Sequence, residues 1–341
     1  MRESARSTRN EMLAKRVARG TPWRRMPKER DHIGPILIVG FGSAGQRHFR
    51  NLIHLGWRDF VFLRSGRGTM PHPDISMFPT TSSLEEALDH RPSAVIIANP
   101  NSMHLDVALP AADAGCDLYI EKPLGHQLKD VDRLSAIAER RGLVVMVGCQ
   151  FRFHPLLLQV RKMGGNGRLG QVIGATAEYA EYLPDWHPWE DHRQSYSARH
   201  DLGGGVLLTL IHPLDSLYWL CGGWQRIQAL SARVPGLETP AGEDWCDVNI
   251  AFTSGVLGHV HVDYVQRPPV HRVGVVGDRG RVLWDFHAGD LRWWPSDGDL
   301  VVQHVPDGFE RNTMFLDAMR HFLACVRDRS EPCVPLRDGT D

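Results

Sequence analysis

Five short, almost wholly apolar runs recur between residues 36 and 149: 36–40 (ILIVG), 60–64 (FVFLR), 94–98 (AVIIA), 117–121 (DLYIE) and 143–148 (LVVMVG). Stretches of helical spacing separate them. A strand that is apolar throughout, rather than at every second residue, is buried on both faces, and helices between such strands cover a parallel sheet on both sides. The pattern predicts a doubly wound, nucleotide-binding sheet over residues 34–150.

Beyond residue 150 the texture changes. The spacing predicts a helix near 156–163 and a strand near 171–180, then a polar, aromatic loop at 184–201. Gly203, Gly204 and Gly205 open an apolar helical run over 206–220. Alternating segments follow between about 226 and 304, including 246–252, 256–266 and 271–277, and strands without intervening helices predict an antiparallel sheet. Met314, Phe315, Ala318, Met319, Phe322 and Leu323 predict a last helix over about 309–327, expected to pack back on the first domain.

At 341 residues the chain suits two cores, and 42% apolar with 23% charged residues excludes a disordered, collagen-like or coiled-coil protein. Lys plus Arg (39) nearly cancels Asp plus Glu (40), so no field gathers nucleic acid or an anionic membrane, and neither is expected as a partner. The balance hides an asymmetry: residues 1–30 carry a net +7 and the rest −8. Residues 1–33 read as a basic disordered arm, or as sequence upstream of the true start. Their Arg-rich, acid-poor composition also suits a transit peptide, but they lack the apolar stretch of a secretory signal. No run approaches the ~20 apolar residues of a membrane span. The six cysteines form no C-x-x-C pair, which signals neither a zinc site nor a disulfide framework and suits a reducing cytoplasm.

Gly40, Phe41, Gly42, Ser43, Ala44 and Gly45 form G-x-G-x-x-G directly after the first strand and at the start of a helix. In that context the first glycine allows a tight turn, the second admits a pyrophosphate, the third lets helix and strand pack, and the helix N-terminus faces the phosphates. An acidic residue that would bind the ribose 2′-OH of NAD belongs at the end of the second strand, about 20 residues on. Here stand Arg64, Ser65 and Arg67, which suit a 2′-phosphate, so NADP is expected, with NAD the alternative.

Further along come Arg47-His48, then Asn99, Pro100, Asn101, Ser102, Met103 and His104, then Glu121-Lys122-Pro123. The segment 150–155 (QFRFHP) and Gly203–Gly205 with His212 and Asp215 follow. In this order and spacing the chain resembles the Gfo/Idh/MocA oxidoreductases over roughly residues 34–327. The resemblance implies an α/β fold: an N-terminal Rossmann doubly wound parallel sheet, and a C-terminal α/β domain (151–341) with a large, mostly antiparallel open sheet. That open sheet often forms an oligomer interface in the family, so a homodimer or homotetramer is expected. It also implies that Asn99, Pro100, His104, Glu121 and Lys122 lie around the cofactor.

Lys122 ends a buried strand at the carboxyl edge where open α/β sheets bind ligands; desolvation there would lower its pKa and fit it to bond a substrate oxygen or exchange a proton. A histidine on an apolar helix, as His212 is, commonly belongs to the core, but the resemblance implies an acid/base role beside the nicotinamide. Thr209 and Asp215, three residues to either side, are expected to share its helix face as substrate ligands. Many family members carry aspartate where this chain has Thr209, so proton transfer rests on Lys122 and His212, and Asp215 reads alternatively as a structural partner. Arg152 follows a strand and lines the crevice or the domain junction.

In the loop, Trp186, Trp189, Tyr196 and Arg199 stand among His187, Glu190, Asp191, His192 and Arg193. Aromatic faces interspersed with polar groups suit a polyhydroxylated substrate. His187, His192 and His200 match no zinc spacing, and no metal is expected. The sum is an NADP-preferring oxidoreductase moving hydride between nicotinamide and a carbinol or carbonyl carbon of a sugar, sugar derivative or cyclitol. Two other readings fit the same residues: a redox-neutral NAD(P)-dependent epimerase or glycosidase, and a cofactor-binding regulator without turnover, which Thr209 alone favours.

Overall fold

The five apolar runs form the strands of one sheet with a sixth at its edge, in a computed structural model that describes residues 34–66, 70, 72–187, 190–240 and 242–340. The basic arm, Arg67 and Trp189 therefore lie outside the described residues. In chain order the first domain runs β1 (Ile36–Val39), α1 (Ser43–His54), β2 (Phe60–Leu63), β3 (Thr80–Thr81), α2 (Leu84–Asp89), β4 (Ala94–Ile97), α3 (His104–Asp113), β5 (Asp117–Ile120), α4 (Val131–Arg141) and β6 (Val145–Val147). All pairings are parallel, in the order β3-β2-β1-β4-β5-β6, the arrangement of a dinucleotide-binding fold. β1, β4 and β5 are buried at every position, as a sheet covered on both faces requires. The short β3 has no apolar signature; Thr80 and Thr81 simply continue the sheet beside Phe62 and Leu63.

The second domain contains α5 (Pro155–Gly165), β7 (Val172–Ala180), α6 (Val206–Thr209), α7 (His212–Cys221), β8 (Trp224–Ala232), β9 (Trp245–Phe252), β10 (Leu257–Asp263), β11 (Val270–Gly277), β12 (Gly280–Asp285), β13 (Asp290–Pro295) and β14 (Val301–His304), followed by α8 (Arg311–Asp328) and α9 (Leu336–Thr340). The strands form one eight-stranded sheet, β14-β13-β12-β11-β7-β10-β9-β8, antiparallel except where β7 and β10 run together. Alternation sends Val248, Ile250 and Phe252 into the core and leaves Asp247 and Asn249 on the open face.

Helix α8 joins the two halves. Met319, Phe322, Cys325 and Val326 belong to the first core and Met314 to the second. Phe322 meets Tyr119 of β5 edge-on at 5.6 Å. Among the described residues no helix is long and apolar enough to cross a membrane.

One expected element is divided. The apolar run 206–220 is two helices, because Pro213 has no N–H for the carbonyl of Thr209 four residues earlier and its ring crowds that carbonyl. Leu210 leaves the helical region at ψ 38°, and the chain restarts at His212 with Pro213 in the first turn, where a missing N–H is harmless. Thr209 and His212 therefore do not share a helix, contrary to the continuous-helix expectation.

Candidate active site

The phosphate turn has the shape its glycines suggested. Gly40 adopts φ +81°, and a Cβ there would stand 2.7 Å from the Ala98 carbonyl. A Cβ on Gly45 would fall 2.0 Å from the Gly40 carbonyl, so helix and strand close on each other only with glycine present. Around Gly42, by contrast, no atom lies within 4 Å of a built Cβ. Helix α1 starts there with no side-chain cap, leaving the backbone N–H groups of its first turn for an anion. A dinucleotide's pyrophosphate fits this cradle, flanked by Phe41, Ser43 and Ala44. Phe41 is buried against Phe49 and Phe62, and the Arg64 guanidinium lies 5.5 Å above its ring; Ser65 is exposed beside it.

Lys122 leaves β5 at the carboxyl edge of the parallel sheet, followed by a cis peptide bond to Pro123. Its ammonium donates to the Thr209 carbonyl at 2.7 Å, the acceptor that Pro213 freed, and so crosses from one domain to the other. His104 sits behind this turn, its ring nitrogens 2.9 Å from the Pro123 carbonyl and 3.0 Å from the Asn99 carbonyl. It ties the turn after β4, with Asn99 and Pro100, to the turn that carries the lysine.

His212 begins α7 and is 3% exposed. Burial holds its imidazole well below the ordinary pKa, and the nearby charge of Lys122 adds to the effect, so the ring is neutral. The Gln150 carboxamide lies 3.1 Å from Nε2, while Nδ1 is buried without a protein partner. Phe151 meets the ring edge-on at 4.8 Å, and Tyr179 faces it at 6.3 Å. Thr209 is buried beside the phenol of Tyr264, which donates to the carbonyls of Ser197 and Gly205.

Three residues expected at the ligand have other engagements. Arg152 is fully buried and holds Asp215 by two nitrogens, at 3.0 and 2.6 Å, and Asp338 at 2.5 Å. The one guanidinium is shared between two carboxylates, joining α7 to the chain's last helix instead of presenting a free group to the crevice. Glu121 turns into the first domain, where His48 lies 2.6 Å away; burial would raise its carboxyl, but the bond to His48 and the charge of Lys122 outweigh this and keep it ionised.

The aromatic loop is a chain of single helical turns pinned from both sides. Asn101 of the first domain bonds the Gly203 carbonyl at 3.0 Å, and Trp186 meets Tyr264 edge-on at 5.6 Å. Tyr196 is 38% exposed. Arg199 is half-buried and paired with Asp201. Sequence reading missed Gln150, Tyr179, Glu181 and His271. A signal existed for two of them: Ala175, Ala177 and Tyr179 share the inward side of β7, and Glu181 continues that parity past its end.

Two regions of the chain match family models in order: residues 35–149 match the oxidoreductase family, NAD-binding Rossmann fold, and residues 157–283 the GFO/IDH/MocA C-terminal domain. The scyllo-inositol 2-dehydrogenase (NAD(+)) of Bacillus subtilis (strain 168) is 26% identical over 91% of each chain. The D-apiose dehydrogenase of Paraburkholderia graminis is 27% identical over 72% of this chain and 66% of its own. A levoglucosan dehydrogenase solved with NADH and levoglucosan has the same fold, with a TM-score of 0.78 over 90% of this chain and 93% of that one, at 16% identity. With both domain models matched across most of its length, the chain belongs to the Gfo/Idh/MocA family of NAD-binding oxidoreductases.

Proposed function

We propose that this protein is an NADP-preferring dehydrogenase or reductase acting on a carbinol or carbonyl carbon of a sugar, sugar derivative or cyclitol. The observation that carries the reading is the bond from Lys122, delivered by the parallel sheet, to the Thr209 carbonyl of the second domain, three residues before the buried His212, across their junction. The bound dinucleotide supplies the hydride acceptor or donor. Lys122 binds the reacting oxygen with a charged hydrogen bond and steadies its negative charge. His212, neutral and shielded from water, takes the hydroxyl proton on Nδ1 in oxidation and returns it as an imidazolium in reduction, in the tautomer whose Nε2–H donates to the Gln150 carboxamide oxygen. Trp186, Tyr196 and Thr209 form the wall against which a polyhydroxylated ring rests.

Screening sugars, cyclitols and their ketones at 340 nm tests the reading. In the enzyme so identified, Lys122→Met and His212→Asn are each expected to lower kcat by about 10²-fold or more while leaving dinucleotide affinity nearly unchanged. Loss of dinucleotide binding in both variants would assign them a structural role.

NADP preference is supported by Arg64 and by the lack of an acidic side chain where β2 ends. Tighter binding of NADH than NADPH in a fluorescence titration refutes it. The open face of the eight-stranded sheet, with a shallow cavity of about 460 Å³ and the exposed Leu257 and Val276, supports association of two or more copies through this face. A monomeric mass in light scattering refutes that. All six cysteines are unpaired, which suits the reducing cytoplasm as the place of work.

A further inference from the structure

An imidazole that moves protons at one nitrogen needs the other held in a defined state, and a carboxylate often does the holding. His212 has no carboxylate. Asp215, three residues on, is taken by Arg152, and Thr209, three residues before, carries no charge. The group that meets the ring is the neutral carboxamide of Gln150, 3.1 Å from Nε2, in a residue 3% exposed.

The backbone places this contact with care. Gln150 stands just past β6, the strand paired with β5, so it leaves the same carboxyl edge of the parallel sheet as Lys122. Lys122 reaches the Thr209 carbonyl and Gln150 reaches His212, two contacts from neighbouring strands to one break between α6 and α7. Two residues beyond Gln150, Arg152 binds Asp215 in the first turn of α7, and this second rung fixes the height of the first.

A carboxamide presents an oxygen on one side and an amino group on the other. With the amino group toward Nε2, the ring's hydrogen sits on Nδ1, which then cannot take a proton. With the oxygen toward Nε2–H, Nδ1 is bare. In oxidation the substrate's O–H bond breaks, its proton passes to Nδ1 as the carbon gives up hydride, and its electron pair completes the carbonyl. The imidazolium so formed carries hydrogen on both nitrogens, which again requires the oxygen side. The bond strengthens at that moment, because a charged donor bonds roughly twice as strongly as a neutral one. Burial and the charges of Lys122, His271 and Arg311, from β11 and α8 as well as the end of β5, all work against the imidazolium.

We propose that Gln150 is the positioning residue of this site: its carboxamide oxygen holds Nε2–H of His212 in both directions of the reaction and so keeps Nδ1 as the nitrogen that exchanges the substrate's proton. Being neutral, the amide leaves the ring a free base at a lower pH than a carboxylate would allow. The inference rests on the oxidoreductase reading above and adds to it what fixes the tautomer and the working pH of its base.

The experiment takes the sugar or cyclitol that the wild-type protein oxidises fastest and follows kcat and KM from about pH 5 to pH 10. Gln150→Met removes the acceptor and is expected to lower kcat about tenfold or more with KM changed less than about threefold. Gln150→Glu retains an acceptor but charges it, so its acid limb in kcat/KM should move up by about one pH unit or more, with kcat restored at alkaline pH. Nitrogen-15 shifts of histidine-labelled wild-type protein, with His212→Asn identifying the signal, should show hydrogen on Nε2, a readout that stands even where a Gln150 variant fails to fold. Hydrogen on Nδ1, or an acid limb unmoved in Gln150→Glu, would overturn the inference while the oxidoreductase reading stands. Wild-type protein that binds NADPH yet turns over nothing among sugars and cyclitols would overturn both.

Discussion

Arg152 offers the sharpest test of how the crevice is built, because two roles predict opposite results. In the structure its side chain is 2% exposed and that of Asp215 8%, with three bonds between them at 2.6 to 3.2 Å. Arg152→Leu removes the cation and leaves the buried Asp215 carboxylate, with that of Asp338 beside it, without a counter-charge, a loss of about 3–5 kcal/mol in comparable pairs. For a unit of roughly 150–250 residues that corresponds to a Tm lower by about 6–20 °C. The sign of the pH dependence follows from Asp215, whose carboxyl burial already raises despite the guanidinium. Without Arg152 it rises further above its unfolded value, so the penalty is small near the unfolded pKa and grows as pH rises through the folded one. Urea unfolding at pH 5 and pH 8 should therefore show a larger loss at pH 8. Arg152→Leu combined with Asp215→Leu and Asp338→Asn removes all three charges and should recover most of the stability. Unchanged Tm with a raised substrate KM in the single variant would refute the structural role and make Arg152 a substrate ligand.

Two further outcomes follow from glycines and histidines. Gly42→Ala should fold with wild-type Tm but bind NADPH at least about tenfold more weakly, since its Cβ enters open space meant for the pyrophosphate, whereas Gly45→Ala should destabilise the fold itself. Equal Tm values for the two variants would contradict the packing described for the turn. Acidification should destabilise the protein before its carboxylates titrate, because burial lowers the pKa of His104, His154, His212 and His271. Each binds its proton more readily when unfolded, so stability is full above the unfolded value near 6.5 and is lost as pH falls. His154, pushed down to about 4, alone should cost about 1.4 kcal/mol per pH unit between those values. Stability that stays flat from pH 7 to pH 5 in urea melts would refute this.

Much of the architecture was legible because it is written in local pattern. Apolar runs with helices between them specify the parallel sheet, and the spacing of Gly40, Gly42 and Gly45 is a backbone requirement visible in one dimension. Two-residue β3 escaped because two threonines carry no periodicity, and the break in 206–220 was missed although Pro213 is in plain view. The candidate site was legible only where single residues mark motifs, as Lys122 and His212 do. Arg152 and Asp215 look available in sequence; that they consume each other is a fact about two elements 63 residues apart. Gln150 and His212, 62 residues apart, belong together for the same reason. Side chains that act through three-dimensional neighbours leave no trace in periodicity.

The bond between Lys122 and the Thr209 carbonyl works as a latch whose keyhole was cut by a proline. An ordinary residue at 213 would offer its N–H to Thr209 and return that carbonyl to the helix, leaving the lysine's ammonium without its one fixed acceptor. Because lysine and carbonyl come from different domains, the ammonium keeps this acceptor only while the two halves stay together. Any opening strands a carbonyl in the interior and turns the lysine loose at once. The direction of the lysine and the seating of one domain on the other are thus tied together by an atom that Pro213 lacks.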